Sequence, residues 1–340
     1  MRAGKIGYCI VGTGAIAPWH AAHIAAVPEA ELVAAVDRDT ERLALFRSRF
    51  GIPHGYSSLE DALQDSAVDV VIICTPTTTH AAIAEQAAAA GKHVLSEKPM
   101  ALTPADADRM IAACRGAGVK LGVILQRRQS DAVLAVKRML DEKLFGDIVL
   151  ASAYLKYYRN AAYYVEAPWR GTRTDGGGAL MNMGVHGIDL IQWLNGGVTG
   201  VFTRAATLAR DITVEDTSVS SVTFGNGALG SIEASTLVYP EYATRCELHG
   251  TNGTVVFDDN GIVLCRTLAG DIDPAAWRAE AQPAPASGVP AVNHYRFLHD
   301  MTMAVLEDRD PHVTGEEAKK SIVVVDAMYR SADSGREIRL

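Results

Sequence analysis

Two kinds of segment alternate through the first 125 residues, and this alternation restricts the fold more than any other feature of the chain. Five apolar runs have the length of strands, and alanine-rich stretches with the length of helices separate them. Strands that are apolar along their whole length are typical of a parallel sheet covered by helices on both faces. We therefore predict a doubly wound α/β fold here, with strands at residues 5–11, 31–37, 68–75, 93–97 and 119–125.

A glycine-rich turn connects the first predicted strand to the first helix. Residues 12–17 read GTGAIA, in which Gly12 permits a tight turn and Gly14 lets a pyrophosphate approach the backbone. Ala17 is small where the helix packs on the strand, and the helix N-terminus offers amide N–H groups to phosphates. The turn predicts a dinucleotide-binding site with cofactor contacts from Gly12, Gly14, Ala15 and Ile16.

Asp37 ends the second predicted strand, twenty residues after Ala17. In a dinucleotide-binding unit, a carboxylate at this spacing meets the adenosine ribose. It accepts a hydrogen bond from a 2′-hydroxyl and repels a 2′-phosphate, so Asp37 favours NAD, with NADP as the alternative cofactor. Arg38, the next residue, has two interpretations: it stacks on the adenine, or it partly neutralises Asp37.

Two further polar segments lie at the carboxyl ends of predicted strands, the edge at which open α/β sheets bind ligands. The first is CTPTTTH at residues 74–80, from which we expect Thr75, Pro76 and His80 to line the cofactor pocket. The second is SEKP at residues 96–99, which brings Glu97 and Lys98 to the same edge. A lysine placed there by the following proline suits the nicotinamide end of a cofactor, although a lysine at a strand end can also simply face solvent.

Composition and charge exclude several classes of partner. With 32 basic and 40 acidic residues, the formal net charge is −8, so we expect no nucleic-acid partner. The longest apolar runs are strand-length and the N-terminus lacks a signal-peptide pattern, so we expect a cytoplasmic protein without a membrane segment. Five cysteines without CxxC spacing predict buried thiols, and His20 and His23 lack a third metal ligand, so we expect no metal site.

The second part of the chain has a different texture. After residue 126, a helix at 131–141 leads to a strand at 147–158, and a second helix runs from Gly178 to Asn195. Between residues 201 and 265, short alternating runs are separated by glycine-containing turns, as in antiparallel sheets. We therefore predict two domains: a dinucleotide-binding domain at 1–125, and a domain for substrate binding and oligomerisation at 126–340.

These motifs are similar to those of a known family. GTGAIA, CTPTTTH and SEKP, in this order and spacing, resemble the Gfo/Idh/MocA oxidoreductases, and GGGALMNMGVHGID at 176–189 resembles the family's helix-borne motif. APWRG at 167–171 and TGEE at 314–317 are also similar, so the resemblance covers almost the whole chain. It implies a Rossmann domain followed by an α/β domain whose large open sheet, mostly antiparallel, commonly forms the contact of a homodimer or homotetramer.

The resemblance also implies an activity, which is reversible hydride transfer between a nicotinamide and a ring carbon of a sugar, sugar derivative or cyclitol. By analogy, Lys98 binds the reacting oxygen and His186 is the general base that takes the hydroxyl proton. The chemistry agrees, because histidine has a pKa near working pH and a lysine charge stabilises a developing alkoxide. The alternative for His186 is a core histidine with a structural role.

One position departs from the family's common pattern. Asn182 stands where an aspartate is frequent, although members that resemble nucleotide-sugar dehydrogenases also carry asparagine there. Helical spacing predicts Asn182, His186 and Asp189 on one face. An amide holds no proton, but it can hydrogen-bond a substrate hydroxyl and orient the imidazole. We therefore expect the pH dependence of oxidation to follow His186 as an unassisted base.

Aromatic and basic residues crowd the segment at 156–173, and such side chains suit sugar faces and anionic groups. From this segment we expect Tyr158 to contact substrate, and Trp169 and Arg170 resemble positions beside the cofactor and the active-site mouth. Gln126 and Arg128, which follow the last Rossmann strand, are weaker candidates for substrate contact. The alternative for these residues is a packed rim of the second domain.

Three further functions are compatible with these motifs besides a sugar or cyclitol dehydrogenase. They are a redox-neutral glycosidase that retains NAD, a non-catalytic NAD-binding regulator and, within the main class, a nucleotide-sugar dehydrogenase. Because cofactor binding alone needs neither Lys98 nor His186, the pair favours a dehydrogenase that acts on a CH–OH group. Its expected partners are NAD or NADP and a small carbohydrate or polyol.

Overall fold

The computed structural model describes residues 4–277 and 292–340. These residues form two compact units, one of residues 4–126 with 292–319, and one of residues 127–277 with 320–340. Each unit is built around its own β-sheet.

The first unit contains a parallel sheet of six strands in the order β3-β2-β1-β4-β5-β6. This order confirms the predicted doubly wound Rossmann topology. The strands are β1 (Ile6–Val11), β2 (Ala30–Val36), β3 (His54–Tyr56), β4 (Val70–Ile73), β5 (His93–Ser96) and β6 (Leu121–Val123). The helices between them are α1 (Ala17–Ala26), α2 (Thr40–Phe50), α3 (Leu59–Leu63), α4 (His80–Ala89) and α5 (Pro104–Ala117). Sequence periodicity does not reveal β3 and α3, because both are short and β3 is only half-buried.

Residues 292–319 pack with the first unit, whereas the sequence predicts them in the second domain. Helix α9 (Val292–Leu306) lies against α1 and β1. Leu298 and Met301 of α9 are fully buried, and the Tyr8 hydroxyl of β1 lies 2.7 Å from Thr302 Oγ1. A division of the chain at residue 126 therefore misses the return of α9, because chain order alone does not show which sheet a late helix covers.

The second unit contains a sheet of nine strands in the order β14-β13-β12-β11-β7-β10-β9-β8-β15. Neighbouring strands are antiparallel except β7 and β10, so the predicted, mostly antiparallel sheet is confirmed. The strands are β7 (Ile148–Lys156), β8 (Val198–Ala206), β9 (Thr217–Phe224), β10 (Leu229–Ser235), β11 (Arg245–Gly250), β12 (Gly253–Asp258), β13 (Gly261–Thr267), β14 (Gly270–Asp271) and β15 (Ile338–Arg339). The helices are α6 (Asp131–Asp141), α7 (Ala161–Glu166), α8 (Val185–Leu194) and α10 (Gly315–Ser334), which starts in the first unit.

Helix α8 packs closely against the centre of the second sheet. A Cβ atom at Gly187 would lie 2.1 Å from Leu155 Cδ2 of β7, so a side chain at this position would displace Leu155. Leu155 and Ile188 are fully buried at the contact. The sheet therefore supports the helix that carries His186.

Within residues 4–277 and 292–340, no helix is long and apolar enough to cross a membrane. The same residues bring together no group of three side chains suited to hold a metal ion. All five cysteines are free thiols, and four of them are buried.

Candidate active site

The glycine turn between β1 and α1 has the shape that a bound pyrophosphate needs. Gly12 has a φ of 93°, and a Cβ atom there would lie 2.9 Å from Thr75 Cγ2, so the turn requires glycine. Gly14 is exposed, and a Cβ atom on it would meet no described atom within 4 Å. At the start of α1, the Ala17 and Trp19 amides donate to the Gly14 and Ile16 carbonyl oxygens at 3.2 and 3.0 Å, and proline follows Ala17, so the amides offered to phosphate oxygens are those of the turn itself. Gly14, Ala15 and Ile16 therefore form an open cradle that fits a dinucleotide.

Asp37 follows β2 and is nearly buried. Its carboxylate accepts hydrogen bonds from the amide and hydroxyl of Thr13 (2.8 and 2.7 Å), the amide of Asp39 (3.0 Å) and the guanidinium of Arg42 (2.7 and 3.1 Å). Burial alone would raise the pKa of Asp37, but Arg42 and the other donors hold that pKa well below its usual range. Asp37 therefore stays ionised at the expected adenosine end of the cradle.

The cation that pairs with Asp37 is Arg42, on the first turn of α2, whereas Arg38 is exposed. The interpretation in which Arg38 neutralises Asp37 is therefore corrected. The sequence feature that could have predicted Arg42 as the partner is Asp39. It caps α2 by accepting the Arg42 amide at 3.0 Å and so sets where the first turn begins.

The residues that follow β4 and β5 form the adjoining part of the same sheet edge. Thr75 is half-buried and Pro76 is exposed, as a cofactor contact requires. His80 is buried instead, with Nε2 2.9 Å from the Thr75 carbonyl oxygen and Nδ1 3.3 Å from Ser96 Oγ. Burial lowers the pKa of His80, so a neutral ring ties the two strand ends together from inside the fold. His80 thus supports the cofactor edge rather than lining it.

Glu97 and Lys98 follow β5. The Glu97 carboxylate is nearly buried, with Oε1 2.7 Å from His20 Nε2 and Oε2 accepting the Lys98 amide at 3.0 Å. Burial alone would raise the pKa of Glu97, but the hydrogen bond and charge of His20, with other nearby positive charges, lower that pKa to about 2. The Glu97 carboxylate, predicted at the cofactor, lies inside the fold against α1, and the Lys98 side chain is half-buried.

Residues 178–194 carry the predicted catalytic residues of the second unit. Sequence spacing predicts one regular helix, but Gly178–Gly184 is a π-helical turn that α8 follows directly. Gly178 has a φ of 89°, and a Cβ atom there would lie 2.6 Å from Glu215 Oε1, which accepts the Leu180 amide at 2.8 Å. The distant Glu215 carboxylate therefore secures the start of the wider turn, which short-range spacing does not reveal.

Asn182 lies on the π-helical turn and His186 on the first turn of α8, and both are half-buried. Asn182 Nδ2 donates to the Tyr163 hydroxyl at 2.9 Å. The Arg170 guanidinium lies 4.1 Å from the centre of the Tyr163 ring and donates to the Tyr163 carbonyl oxygen at 2.9 Å. Arg170, predicted near the cofactor, thus braces Tyr163, which in turn orients Asn182; Trp169 beside it is exposed.

Asp189 and Arg128 form a buried ion pair. Arg128 donates from Nε and Nη2 to the two carboxylate oxygens of Asp189 at 2.8 and 2.7 Å, and its guanidinium lies 4.8 Å from the centre of the Trp193 ring. The pair fastens α8 to the turn that precedes α6. Helical spacing predicts Asp189 on the face of His186, and Arg128 was a substrate candidate; the structure gives both a structural contact instead.

A cavity of about 400 Å³ opens beside His186. Two arginines line it, and each is paired with an acid: Arg127 Nη1 lies 2.6 Å from Asp259 Oδ1, and Arg159 Nη1 lies 2.7 Å from Glu241 Oε2. The remaining wall comes from Tyr157, Met183, Tyr242 and Ala243. The cavity therefore presents hydrogen-bond donors and acceptors next to aromatic rings and an imidazole.

The described wall of this cavity contains none of Tyr158, Gln126 and Asn182, which the sequence predicts at the substrate. Tyr158 packs edge-on against Tyr239, with ring centres 5.1 Å apart. Gln126 begins the short helical turn before α6 and is half-buried. Tyr157 and Arg159 line the cavity instead, because residues on either side of Tyr158 in an extended segment face the other way. That alternation is the signal that would have found them.

Comparisons with known proteins agree with this architecture. One family model, an oxidoreductase family with an NAD-binding Rossmann fold, matches residues 6–125, and a GFO/IDH/MocA C-terminal domain matches residues 133–256. The crystal structure of the WlbA dehydrogenase from Bordetella pertussis, in complex with NADH and UDP-GlcNAcA, matches with a TM-score of 0.87. It is 34% identical in sequence, and the match covers 99% of each chain.

Two named relatives act on other compounds. The myo-inositol 2-dehydrogenase of Thermotoga maritima is 26% identical over 97% of both chains. The D-apiose dehydrogenase of Paraburkholderia graminis is 27% identical over 92% of this chain and 83% of its own. From these matches, the glycine cradle and the two sheets, it follows that the chain belongs to the Gfo/Idh/MocA oxidoreductase family and that its first unit is an NAD-binding Rossmann domain.

Proposed function

We propose that this protein is an NAD-dependent dehydrogenase that oxidises a ring hydroxyl of a nucleotide-linked sugar acid. Similarity supports the substrate class, because the WlbA complex with UDP-GlcNAcA is 34% identical while the myo-inositol dehydrogenase is 26% identical over a similar length. The observation that carries the proposal is the cavity beside His186, which combines arginine–carboxylate pairs with tyrosine rings.

This cavity suits a hydroxylated and negatively charged ring. Sugar hydroxyls both donate and accept hydrogen bonds, so neighbouring arginine donors and carboxylate acceptors match them. Arg127 with Asp259, and Arg159 with Glu241, supply this combination at two points. Guanidinium groups also bind carboxylates and phosphates, which extends the preference to an acidic, phosphate-linked sugar.

Oxidation of a ring alcohol removes a hydride from carbon and a proton from oxygen. When bound, NAD⁺ supplies the hydride acceptor. We assign proton removal to His186, because imidazole changes its protonation near neutral pH. Lys98 donates a hydrogen bond to the reacting oxygen and stabilises its negative charge as the proton leaves. Asn182, oriented by Tyr163, hydrogen-bonds a substrate hydroxyl.

Residues of the first unit fit the cofactor. Gly12 shapes the turn, the backbone of Gly14, Ala15 and Ile16 holds the pyrophosphate, and Thr75 and Pro76 lie along the same edge. Asp37 accepts the ribose 2′-hydroxyl and, being ionised, repels the 2′-phosphate of NADP. We assign no direct cofactor contact to Glu97 or His80, whose polar side-chain atoms bond elsewhere, or to Arg170, whose guanidinium lies against Tyr163.

The test follows formation of reduced nicotinamide with NAD and NADP in separate reactions. The substrates are UDP-GlcNAcA, UDP-GlcNAc as the matched compound without the carboxylate, myo-inositol and D-apiose. We expect turnover with UDP-GlcNAcA and NAD, weak turnover with UDP-GlcNAc, and a loss of about 100-fold or more in Lys98→Ala and His186→Ala. In His186→Ala the pH dependence of the residual rate flattens.

Other outcomes reassign the function. If only myo-inositol or D-apiose is turned over, the substrate is a cyclitol or a free sugar rather than a nucleotide-linked sugar acid. Full activity in Lys98→Ala or an unchanged pH profile in His186→Ala would refute the roles assigned to these residues. A redox-neutral glycosidase would release NAD only on denaturation and give no net reduction. A regulator would bind NAD exchangeably and turn over none of the panel, with binding unaffected by Lys98→Ala.

We also propose that the chain assembles through the outer face of its nine-stranded sheet, as a homodimer or a homotetramer. Strand register puts the side chains of Leu150, Val219, Leu229 and Leu264 on one face, and all four are exposed. An exposed apolar sheet face is typical of a subunit contact. Sedimentation of the wild type and of Val219→Lys/Leu229→Lys tests this: the variant sediments as a smaller species, and identical profiles would refute it.

A further inference from the structure

A cluster of ionisable side chains lies buried next to Lys98, and the proposed reaction does not use it. His20 and His23 come from α1, Glu97 from the end of β5 and His294 from α9. His20 and His23 are fully buried, and the ring centre of His294 lies 6.0 Å from each of theirs. A buried charge needs a close partner, so the distribution of charge in this cluster determines what it can do.

Glu97 carries the negative charge of the cluster. Despite its burial, its pKa is lowered to about 2, chiefly by the His20 hydrogen bond and charge. His294 does not balance that charge at neutral pH, because burial lowers its pKa to about 4. Besides His294, the groups whose charges lower the Glu97 pKa are His20 and Lys98.

The other titratable groups around the carboxylate are neutral or bonded elsewhere. His80 of α4 is neutral because burial lowers its pKa, and burial raises the pKa of the Cys74 thiol after β4. His23 Nδ1 lies 2.5 Å from the Trp19 carbonyl oxygen of its own helix. Neither His80 nor Cys74 therefore supplies a charge that competes with Lys98 for Glu97.

The Glu97 carboxylate links His20 to Lys98. One oxygen lies 2.7 Å from His20 Nε2, and the other accepts the Lys98 amide at 3.0 Å, so the group is held in one orientation. Among the described residues, His20 Nδ1 has no hydrogen-bond partner, which leaves Glu97 as the group that orients the ring. Attraction between opposite charges favours the ionised form of each, so a fixed Glu97 favours a protonated Lys98.

We propose that His20 is a positioning residue of the dehydrogenase, which acts through Glu97: the pair holds a carboxylate charge beside Lys98 and keeps the lysine protonated. The inference rests on the proposed role of Lys98, whose positive charge stabilises the reacting oxygen. A neutral lysine lacks that charge, so the pair widens the pH range over which Lys98 performs its role. In the opposing view, His20 and Glu97 only fill the space between α1 and β5.

The test measures the protonation of Lys98 directly, in the full chain saturated with NADH. The chain has nine lysines. Reductive methylation with ¹³C-formaldehyde therefore gives few dimethyl-lysine signals, and each chemical shift reports one titration. The signal that is lost in Lys98→Arg belongs to Lys98, and its titration midpoint is compared among the variants.

Glu97→Gln keeps the size of the side chain but removes the charge, so the Lys98 midpoint falls by about one pH unit. His20→Asn, whose amide is too short to reach Glu97, moves the midpoint in the same direction, because burial then drives Glu97 toward its neutral form. His20→Gln places an amide near the position of Nε2 and returns the Lys98 midpoint most of the way to its wild-type value. His23→Asn, equally buried on the same helix, is the matched control and leaves the midpoint unchanged.

An unchanged midpoint in Glu97→Gln overturns the inference, and so does a His20→Asn midpoint equal to that of His23→Asn. If His20→Asn does not fold, the Glu97→Gln titration alone tests the inference. An unchanged Lys98 midpoint in that variant would show that the Glu97 charge does not keep Lys98 protonated. Turnover of UDP-GlcNAcA by Lys98→Ala is measured separately. Full activity in that variant refutes the proposed function of Lys98, whereas the titration tests the His20–Glu97 pair independently of turnover.

Discussion

Two glutamates, one in each unit, are buried to a similar degree and differ in charge. Glu97 is 8% exposed with a pKa lowered to about 2, and Glu215 is 7% exposed with a pKa that burial raises to about 7. Their partners differ: Glu97 bonds to the His20 imidazole, whereas Glu215 accepts the Leu180 amide at 2.8 Å and the Tyr329 hydroxyl at 3.2 Å. At similar burial, the hydrogen bond and charge of His20 lower the pKa of Glu97, whereas the donors at Glu215 do not offset the effect of burial.

The difference matches what each carboxylate is placed to do. In the first unit, Asp37 and Glu97 stay ionised at the cofactor edge, where a fixed charge can select a ligand or hold a lysine. In the second unit, Glu215 shapes the backbone of the π-helical turn, a task that needs hydrogen bonds but no charge. Two other buried carboxylates of the second unit have different partners: backbone amides of residues 208–210 hold the pKa of Asp216 below its ordinary value despite burial, and Asp189 is paired with Arg128.

Removal of Arg128 should have the largest effect, because it leaves the Asp189 carboxylate buried without its cation. The two side chains are 3% and 2% exposed, so water cannot take the place of the guanidinium. We expect Arg128→Met to lower the free energy of unfolding by about 3–5 kcal/mol in chemical denaturation. Arg138→Met breaks the exposed Arg138–Glu142 pair and should cost less than about 1 kcal/mol. Equal costs would contradict the rule that burial makes the counter-charge necessary.

Glu215 should make stability depend on pH in the direction opposite to Glu97. Its folded pKa of about 7 lies above the ordinary value of 4.5, so its contribution is complete below about pH 4.5 and is lost as pH rises through 7. The total is on the order of 3 kcal/mol. Glu97, with its lowered pKa, contributes above about pH 4.5 and loses that contribution as pH falls toward 2.

Glu215→Gln keeps a neutral acceptor for the Leu180 amide and removes this titration. Denaturation at several pH values should show the variant gaining stability relative to the wild type between about pH 5 and 8. Parallel pH profiles of the two proteins would mean that Glu215 keeps its charge in the folded state.

Asp37 tests whether an ionised carboxylate of the first unit also selects the cofactor. Asp37→Asn removes the charge that repels a 2′-phosphate, so the ratio of the NADPH to the NADH dissociation constant should fall about tenfold in fluorescence titrations. Asp39→Asn, two residues away and half exposed, retains a side chain suited to capping α2 and is the matched control. If both variants keep the wild-type ratio, the discrimination comes from another part of the site.

Local sequence spacing was sufficient to predict most of the first unit's fold, but few of the contacts at the candidate site of the second unit. The GTGAIA turn and Asp37 are separated by one helix and one strand, and a parallel sheet brings the ends of successive strands to one edge. The sequence did not predict Arg42 as the partner of Asp37, because this pairing depends on where α2 begins. Helix α9 was predicted in the second domain but packs on β1 of the first unit, because no nearby sequence feature indicates that contact.

In the second unit the decisive contacts join residues that are far apart in the chain. Glu215 lies 35 residues from Leu180, Arg159 lies 82 from Glu241, and Asp189 lies 61 from Arg128. Such contacts follow from the order of antiparallel strands, which apolar alternation does not specify. The motif around His186 predicted which residues matter, but not the π-helical turn or the partners that orient them.

The smallest expected effect concerns the Tyr163 hydroxyl, which orients Asn182 without any charge. Tyr163→Phe removes the hydrogen bond at 2.9 Å but keeps the ring on which Arg170 stacks. Loss of one neutral hydrogen bond is worth about 1 kcal/mol, so kcat for UDP-GlcNAcA should fall about fivefold. Because an amide and a phenol hydroxyl are both uncharged, the loss should be the same at every pH at which the wild type is active.

Tyr164→Phe is the matched control, since the Tyr164 hydroxyl bonds to Thr236 Oγ1 at 2.9 Å in the interior. It should lower the melting temperature and leave kcat unchanged. A loss in Tyr163→Phe that grows or shrinks with pH would show that the hydroxyl takes part in proton transfer. The second unit would then also rely on an ionising group to orient its site, and the contrast with the charged carboxylates of the first unit would not hold.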